Sequence, residues 1–183
     1  KENIILFQDI GLLPYDTYSP GRHICSKRLE QLYRFQSEQP KIIIASLENF
    51  MMPLMPPEVL KKNSFIVNKG QIIDRKKLQN QLIAHGYQTV DQVMEPGDYA
   101  IKGSLIDLFP LGSRFAYRLD FDDAQLEHIE HINVEDQTIV KDVDKIHLLP
   151  AHECLFSEQT IAQFRQQWRA YFGPETRHHP LYQ

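Results

Sequence analysis

The sequence predicts an α/β protein in which a strand–helix–strand segment is followed by a separate α+β unit and then by one long amphipathic helix. Three observations carry that reading. Short apolar runs alternate with a helical pattern over residues 1–63, glycines and prolines divide residues 64–150 into short strands, and residues 157–172 repeat large apolar side chains at helical spacing.

Ile4-Ile5-Leu6-Phe7 reads as a short apolar strand. Ser19 with Pro20 supplies a helix start, and from about Arg22 to Phe35 the side chains of Cys25, Leu29 and Leu32 fall on one helical face. Ile42-Ile43-Ile44-Ala45, read as a strand of the buried type, then completes a strand–helix–strand unit of the kind that builds parallel sheets, and the proline-rich stretch Pro53 to Pro57 closes it. In the next unit Phe65-Ile66-Val67 is a strand. A helix follows, capped by Asp74 and stopped by Gly86 after His85. Several short strands come after it, with Gly97, Gly103 and Gly112 at turns or tight packing positions. Leu126, Ile129 and Ile132 have near-helical spacing, so the segment to Val134 reads as strand or helix. The last helix begins at Ser157, carries Ile161, Phe164, Trp168 and Tyr171 on one face and stops at Gly173-Pro174. That face needs a cover, most simply the first α/β part.

At 183 residues the chain can form one large or two small domains, and its 42% apolar and 24% charged residues are ordinary for a globular protein. No apolar run approaches the roughly 20 residues that span a bilayer, and no signal-peptide pattern opens the chain. Lys1 to Phe7 reads like the middle of a folded domain, so a piece of a longer protein is expected. Cys25 and Cys154 lie far apart and outside CxxC spacing, which fits a reduced cytosolic protein and argues against a disulfide framework or a thiolate zinc site. Residues 64–150 hold 9 basic against 14 acidic side chains, a net of −5, whereas the rest holds 11 against 10. A domain gripping nucleic acid by its phosphates is expected to be basic. The acidic middle unit therefore favours a protein partner.

The richest stretch is EPGDYAIKGSLIDLFPLGSRFAYRLDFDD, Glu95 to Asp123, where Lys102 and Arg118 stand among strand-forming residues. Phe115, Tyr117, Leu119 and Phe121 alternate with Ala116, Arg118, Asp120 and Asp122, so period-2 geometry turns Arg118 outward and Phe121 inward. Without further information Arg118 reads as a solvated cation paired with Asp120 or a neighbouring carboxylate. A metal-dependent nuclease built on Asp107, Asp120, Asp122 and Asp123 is disfavoured, as is a metal site on His128 and His131 with Glu127 and Glu130. If that last segment is a strand, the two histidines lie on opposite faces. His178 and His179 follow a helix stop and read as tail. No GxxxxGK[ST] loop occurs.

Several separated motifs, in order, carry a resemblance. VDQVMEPGDYAIKGSLIDLFPLG (Val90 to Gly112), YRLDF (Tyr117 to Phe121) and IHLLPAHE (Ile146 to Glu153), with LPYDTYSP (Leu13 to Pro20), RLEQLY (Arg28 to Tyr33) and RQQWR (Arg165 to Arg169), resemble the amino-terminal UvrB-homology module of bacterial transcription-repair coupling factors. The match covers nearly the whole chain. The resemblance implies a partial helicase-like parallel α/β domain with an inserted small α+β domain of the UvrA-binding type. Residues 1–63 would be partial α/β domain, 64–150 the UvrA-binding domain, and 151–183 a helix returning to the first.

The implied function is non-catalytic recruitment of UvrA, which brings nucleotide excision repair to stalled RNA polymerase. The implied parent is a bacterial, cytoplasmic, ATP-driven DNA translocase. It would meet RNA polymerase and DNA through other domains and use ATP and magnesium in a motor, with no cofactor in this segment and no membrane. Another domain of the parent is expected to mask the UvrA-binding face at rest. The partner contacts implied by the resemblance are Arg118, Lys102, Phe121 and Asp122. Lys102 stands where an arginine is expected, keeping the charge but losing the planar fork. An aromatic pair is expected after RLD, and this chain has Phe121 followed by Asp122. The alternative reading is a UvrB-like DNA-handling module of a helicase-type repair protein.

Overall fold

The computed structural model describes residues 4–12, 17–37, 42–153 and 158–173. Residues 1–153 form one compact unit, and the helix beyond them belongs to a second. Helices and sheets are mixed throughout, as an α/β class requires.

In the first unit β1 (Ile4–Leu6) pairs in parallel with β2 (Ile42–Ile44), joined by α1 (Arg22–Ser37). This is the expected strand–helix–strand connection, but β2 is not the buried strand its isoleucine run suggested: among the described residues it pairs only with β1, and Ile42, Ile43 and Ile44 are all exposed. Gly21, rather than Ser19, is the last residue before α1, since its carbonyl accepts from the Ile24 and Cys25 amides. Leu29 and Leu32 are buried on the inner face of α1, while Cys25, a free thiol, is only half-buried. Two short helices follow, α2 (Leu47–Met51), capped by Ser46, and α3 (Pro57–Lys62), which opens on a proline and buries Leu60.

The chain then runs through β3 (Phe65–Asn68) and α4 (Arg75–Ala84). Asp74 caps α4 by accepting from the Lys76 and Lys77 amides, and Gly86 ends it at a φ of +85°. The positive φ favours glycine there, and a Cβ would also stand 2.4 Å from Cδ2 of His152 and push that side chain aside. A six-stranded sheet follows in the order β4 (Gln88–Thr89), β5 (Asp98–Lys102), β6 (Leu105–Leu108), β7 (Ala116–Asp122), β8 (Gln125–Ile132), β9 (Ile139–Asp142). All its pairings are antiparallel except β4 with β5. Finally β10 (Lys145–Leu148) returns to pair antiparallel with β3.

One face of the large sheet buries Tyr99, Ile106, Leu108, Leu119, Phe121 and Ile129, with Leu78 and Leu82 of α4 also in the core. At about 25 cal/mol per Å² of apolar surface, this is the main stabilising term of the unit. A smaller cluster of Val93, Ala100, Phe109, Ala116 and Ile132 covers part of the opposite face. The helical-looking spacing of Leu126, Ile129 and Ile132 has a strand explanation. A bulge where Phe121 pairs with Leu126 and Asp120 with His128 lets Leu126 and Ile129 share the core face, while Ile132 pairs with Ala116 and joins the second cluster.

Arg28 of α1 is 1% exposed and ties the unit together. Its Nε and Nη2 donate to the Glu153 carboxylate at 2.6 and 3.3 Å. Its Nη1 donates to the Gln8 carbonyl and Asn49 Oδ1, both at 2.7 Å. Arg22 makes a second tie, to Asp98 and Gln88.

The second unit contains α5 (Glu158–Phe172), in which Phe164, Trp168 and Phe172 stack successively at ring separations of 5.5 and 4.5 Å. The expected cap at Ser157 and stop at Pro174 lie outside the described residues. Among the described residues no helix is long and apolar enough to cross a membrane.

Candidate functional site

The polar face of the six-stranded sheet brings the predicted cations together around one carboxylate. Strand pairing sets Asp107 of β6 directly opposite Arg118 of β7, and Arg118 opposite Glu130 of β8. Lys102 ends β5, one residue before the Gly103 turn, and leans diagonally towards the same carboxylate. Arg118 Nε and Nη2 donate to Asp107 Oδ1 and Oδ2 at 2.7 and 2.8 Å, a bidentate pair, and Lys102 Nζ lies 3.8 Å from Oδ2.

Burial is uneven across this cluster. The Asp107 side chain is 1% exposed, Arg118 17% and Lys102 46%. An acid this deep in a strand is tolerated because cations close over it. The hydrogen bonds that Arg118 donates to Asp107, reinforced by the Asp107, Glu130 and Asp120 charges, raise the guanidinium above its ordinary pKa against the opposing effect of burial. Arg118 is therefore a fixed cation.

This revises the outward-pointing Arg118 expected from the alternation. The face is right, but the fork is partly buried, and its carboxylate partner is Asp107 rather than Asp120. Phe121 is corrected as a surface contact. It is 4% exposed and packs in the core, as its place in the alternation required, so the aromatic contact implied by the resemblance is not offered there. Asp122 is exposed at the end of β7, beside the Asp123 turn, and Lys102 is the most open of the cations around Asp107.

Sequence reasoning passed over Asp107 as the centre of the cluster. The signal was available: LIDLF places one acid within an apolar strand, and such a residue demands a cation from a neighbouring strand. Among the described residues no group of three or more His, Cys, Asp or Glu side chains could hold a metal. His128 and His131 lie on opposite faces of β8. His128 sits near Lys69 and Asp142, and His131 stacks on Phe115 with ring centroids 4.7 Å apart. Burial, then the Lys141 charge, lowers the His131 pKa.

One face of the sheet thus carries Arg118 and Lys102 gathered on the buried Asp107, with Glu130 beside them. Residues 65–154 match the UvrB interaction domain family. Over nearly its whole length it is similar to transcription-repair-coupling factors. It is 40% identical over 94% of the chain to that of Haemophilus influenzae and 40% over 96% to that of Escherichia coli. To that of Bacillus subtilis it is 28% identical over 88%. The chain spans only about 15% of the length of these relatives.

Proposed function

We propose that this chain is a non-catalytic recruitment module that binds UvrA and so brings nucleotide excision repair to a stalled RNA polymerase. The observation that carries the reading is the family match over residues 65–154, which contains Lys102, Asp107 and Arg118 on one sheet face. The names of its relatives support a place in transcription-coupled repair. In this reading residues 1–63 are part of a helicase-like α/β domain, 64–150 are the UvrA-binding domain, and 151–183 return to the first. The ATP-driven translocase, the contacts to polymerase and DNA, and the masking domain belong to other parts of the parent protein, which acts in the bacterial cytoplasm.

The patch itself argues for specificity more than for steering. Lys102 and Arg118 are set among Asp107, Asp120 and Glu130, so positive and negative groups alternate and little net field extends into solvent. Binding to UvrA should therefore weaken only modestly with salt. The test is calorimetric titration of the chain into UvrA at two salt concentrations, beside the exposed-site variant Lys102→Gln. Micromolar or tighter binding weakened by the variant is the expected result. Absence of UvrA binding, with steeply salt-dependent binding to duplex DNA instead, would overturn the proposal in favour of DNA handling.

A further inference from the structure

We propose that Asp107 is the positioning residue of the docking face: it holds Arg118 and Lys102 as one preformed cation pair whose remaining N–H groups receive acceptors from the partner. The inference rests on the UvrA-binding reading and assigns a role to a residue that makes no contact outside the chain. Three features of the site support it. Asp107 is 1% exposed, so a partner cannot reach it directly. Both of its oxygens are used by Arg118, in a planar two-bond arrangement that only a guanidinium can satisfy, and one of them also faces Lys102 Nζ at 3.8 Å. The cations come from β5 and β7, on either side of β6, so the strand between them alone can bridge them.

A free arginine side chain carries rotamer entropy that an interface must overcome. Fixed by Asp107, the guanidinium has already lost that freedom before the partner arrives. Two of its five N–H groups point at Asp107, and the others are left for carbonyl or carboxylate oxygens on the partner. Glu130, opposite on β8, and Asp120, along β7, can accept from partner donors. The complementary surface is therefore one of mixed charge presenting acceptors at its centre.

The test is a double-mutant cycle of Asp107→Asn and Arg118→Lys, read by titration against UvrA with folding of each variant checked by thermal unfolding. Asn is close in shape and neutral, and the cations it would leave are exposed enough to be hydrated, so the fold is retained. Each single variant is expected to weaken binding by about tenfold, the effect of losing one charge-assisted bond. The double variant should be no weaker than either single one, because both remove the same preformed pair. A folded Asp107→Asn that binds like the wild type, or losses that add, would overturn the inference while leaving the recruitment reading intact. Should Asp107→Asn fail to fold, Arg118→Lys decides: undiminished binding overturns the inference, and the tenfold loss supports it. Failure of the unaltered chain to bind UvrA would overturn the recruitment reading and this inference with it.

Discussion

Arg28 and Arg118 each grip a carboxylate through two nitrogens, yet the burial of the partners is reversed. At the seam between α1 and the end of the sheet unit, Arg28 is 1% exposed and Glu153 19%; on the sheet face, Asp107 is 1% exposed and Arg118 17%. The same chemical pair thus serves two ends. Where the arginine is inside, its spare donors go to Gln8 and Asn49, and the pair fastens segments distant in sequence. Where the acid is inside, the arginine keeps an edge available for something else. On the sheet face the damaging loss is that of Arg118, which strands the buried Asp107 charge; at the seam it is that of Arg28, the buried hub whose removal leaves Glu153, Gln8 and Asn49 without their shared donor.

The largest expected effect tests the seam. Arg28→Ala removes the links to Glu153, Gln8 and Asn49 and empties the space beside the Phe7 ring, over which the guanidinium sits at 4.7 Å. A loss of about 3–5 kcal/mol is expected in urea unfolding. A loss below about 1 kcal/mol would mean that the seam is not the fastening described.

Next comes the sheet face, where Arg118→Ala leaves Asp107 buried with only Lys102 nearby. A loss of about 2–3 kcal/mol is expected, and adding Asp107→Asn to it should restore part of that stability, because no buried charge then remains. If the double variant were less stable than Arg118→Ala, the asymmetry between the two pairs would be lost. The same reasoning explains why Arg118→Ala is a poor probe of binding taken alone.

The smallest effect is a pH dependence to which His131 on the sheet and two histidines on the seam side contribute. Burial lowers the pKa of His85 and of His147, which packs on Tyr33 at 4.4 Å. Their ordinary value is 6.5. Below it the unfolded chain takes up protons that the folded chain resists, so their stabilising contribution is complete above about pH 7 and declines as the pH falls through 6.5. Urea midpoints measured from about pH 8 down to pH 5 should fall, and His147→Gln should flatten the decline. An unchanged slope in that variant would remove His147 from the account.

Much of the fold could be read in the sequence because local signals and tertiary packing agree. The Asp74 cap, the Gly86 stop and the isoleucine run of β2 each specify one conformation. The segment around Leu126 to Ile132 was ambiguous because a bulge changes the strand period at one point, and no propensity marks where it falls. The polar sheet face was legible as a pair of cations, but the acid between them was not. Alternation says which face Asp107 occupies, whereas the identity of its partner depends on which strand lies beside it and in what register. Seam residue Arg28 was hidden for the same reason, since Glu153 is distant in sequence and adjacent only after the chain returns through β10.

That return has a mechanical consequence. β3 and β10 pair antiparallel with Phe65 opposite Leu148, so the polypeptide enters and leaves residues 64–150 at the same end of one ladder. Once the ties of Arg28 to Glu153 and of Arg22 to Asp98 and Gln88 have parted, tension between the flanking segments would load the bonds from Tyr87 to Leu149 and from Ala151 to His85. It would then open the ladder rung by rung from Phe65 and Leu148 towards Asn68 and Lys145, instead of shearing all its bonds together. A unit attached in this way can be pulled from its base at low force while the six-stranded sheet it carries, with both of its cations, bears none of the load.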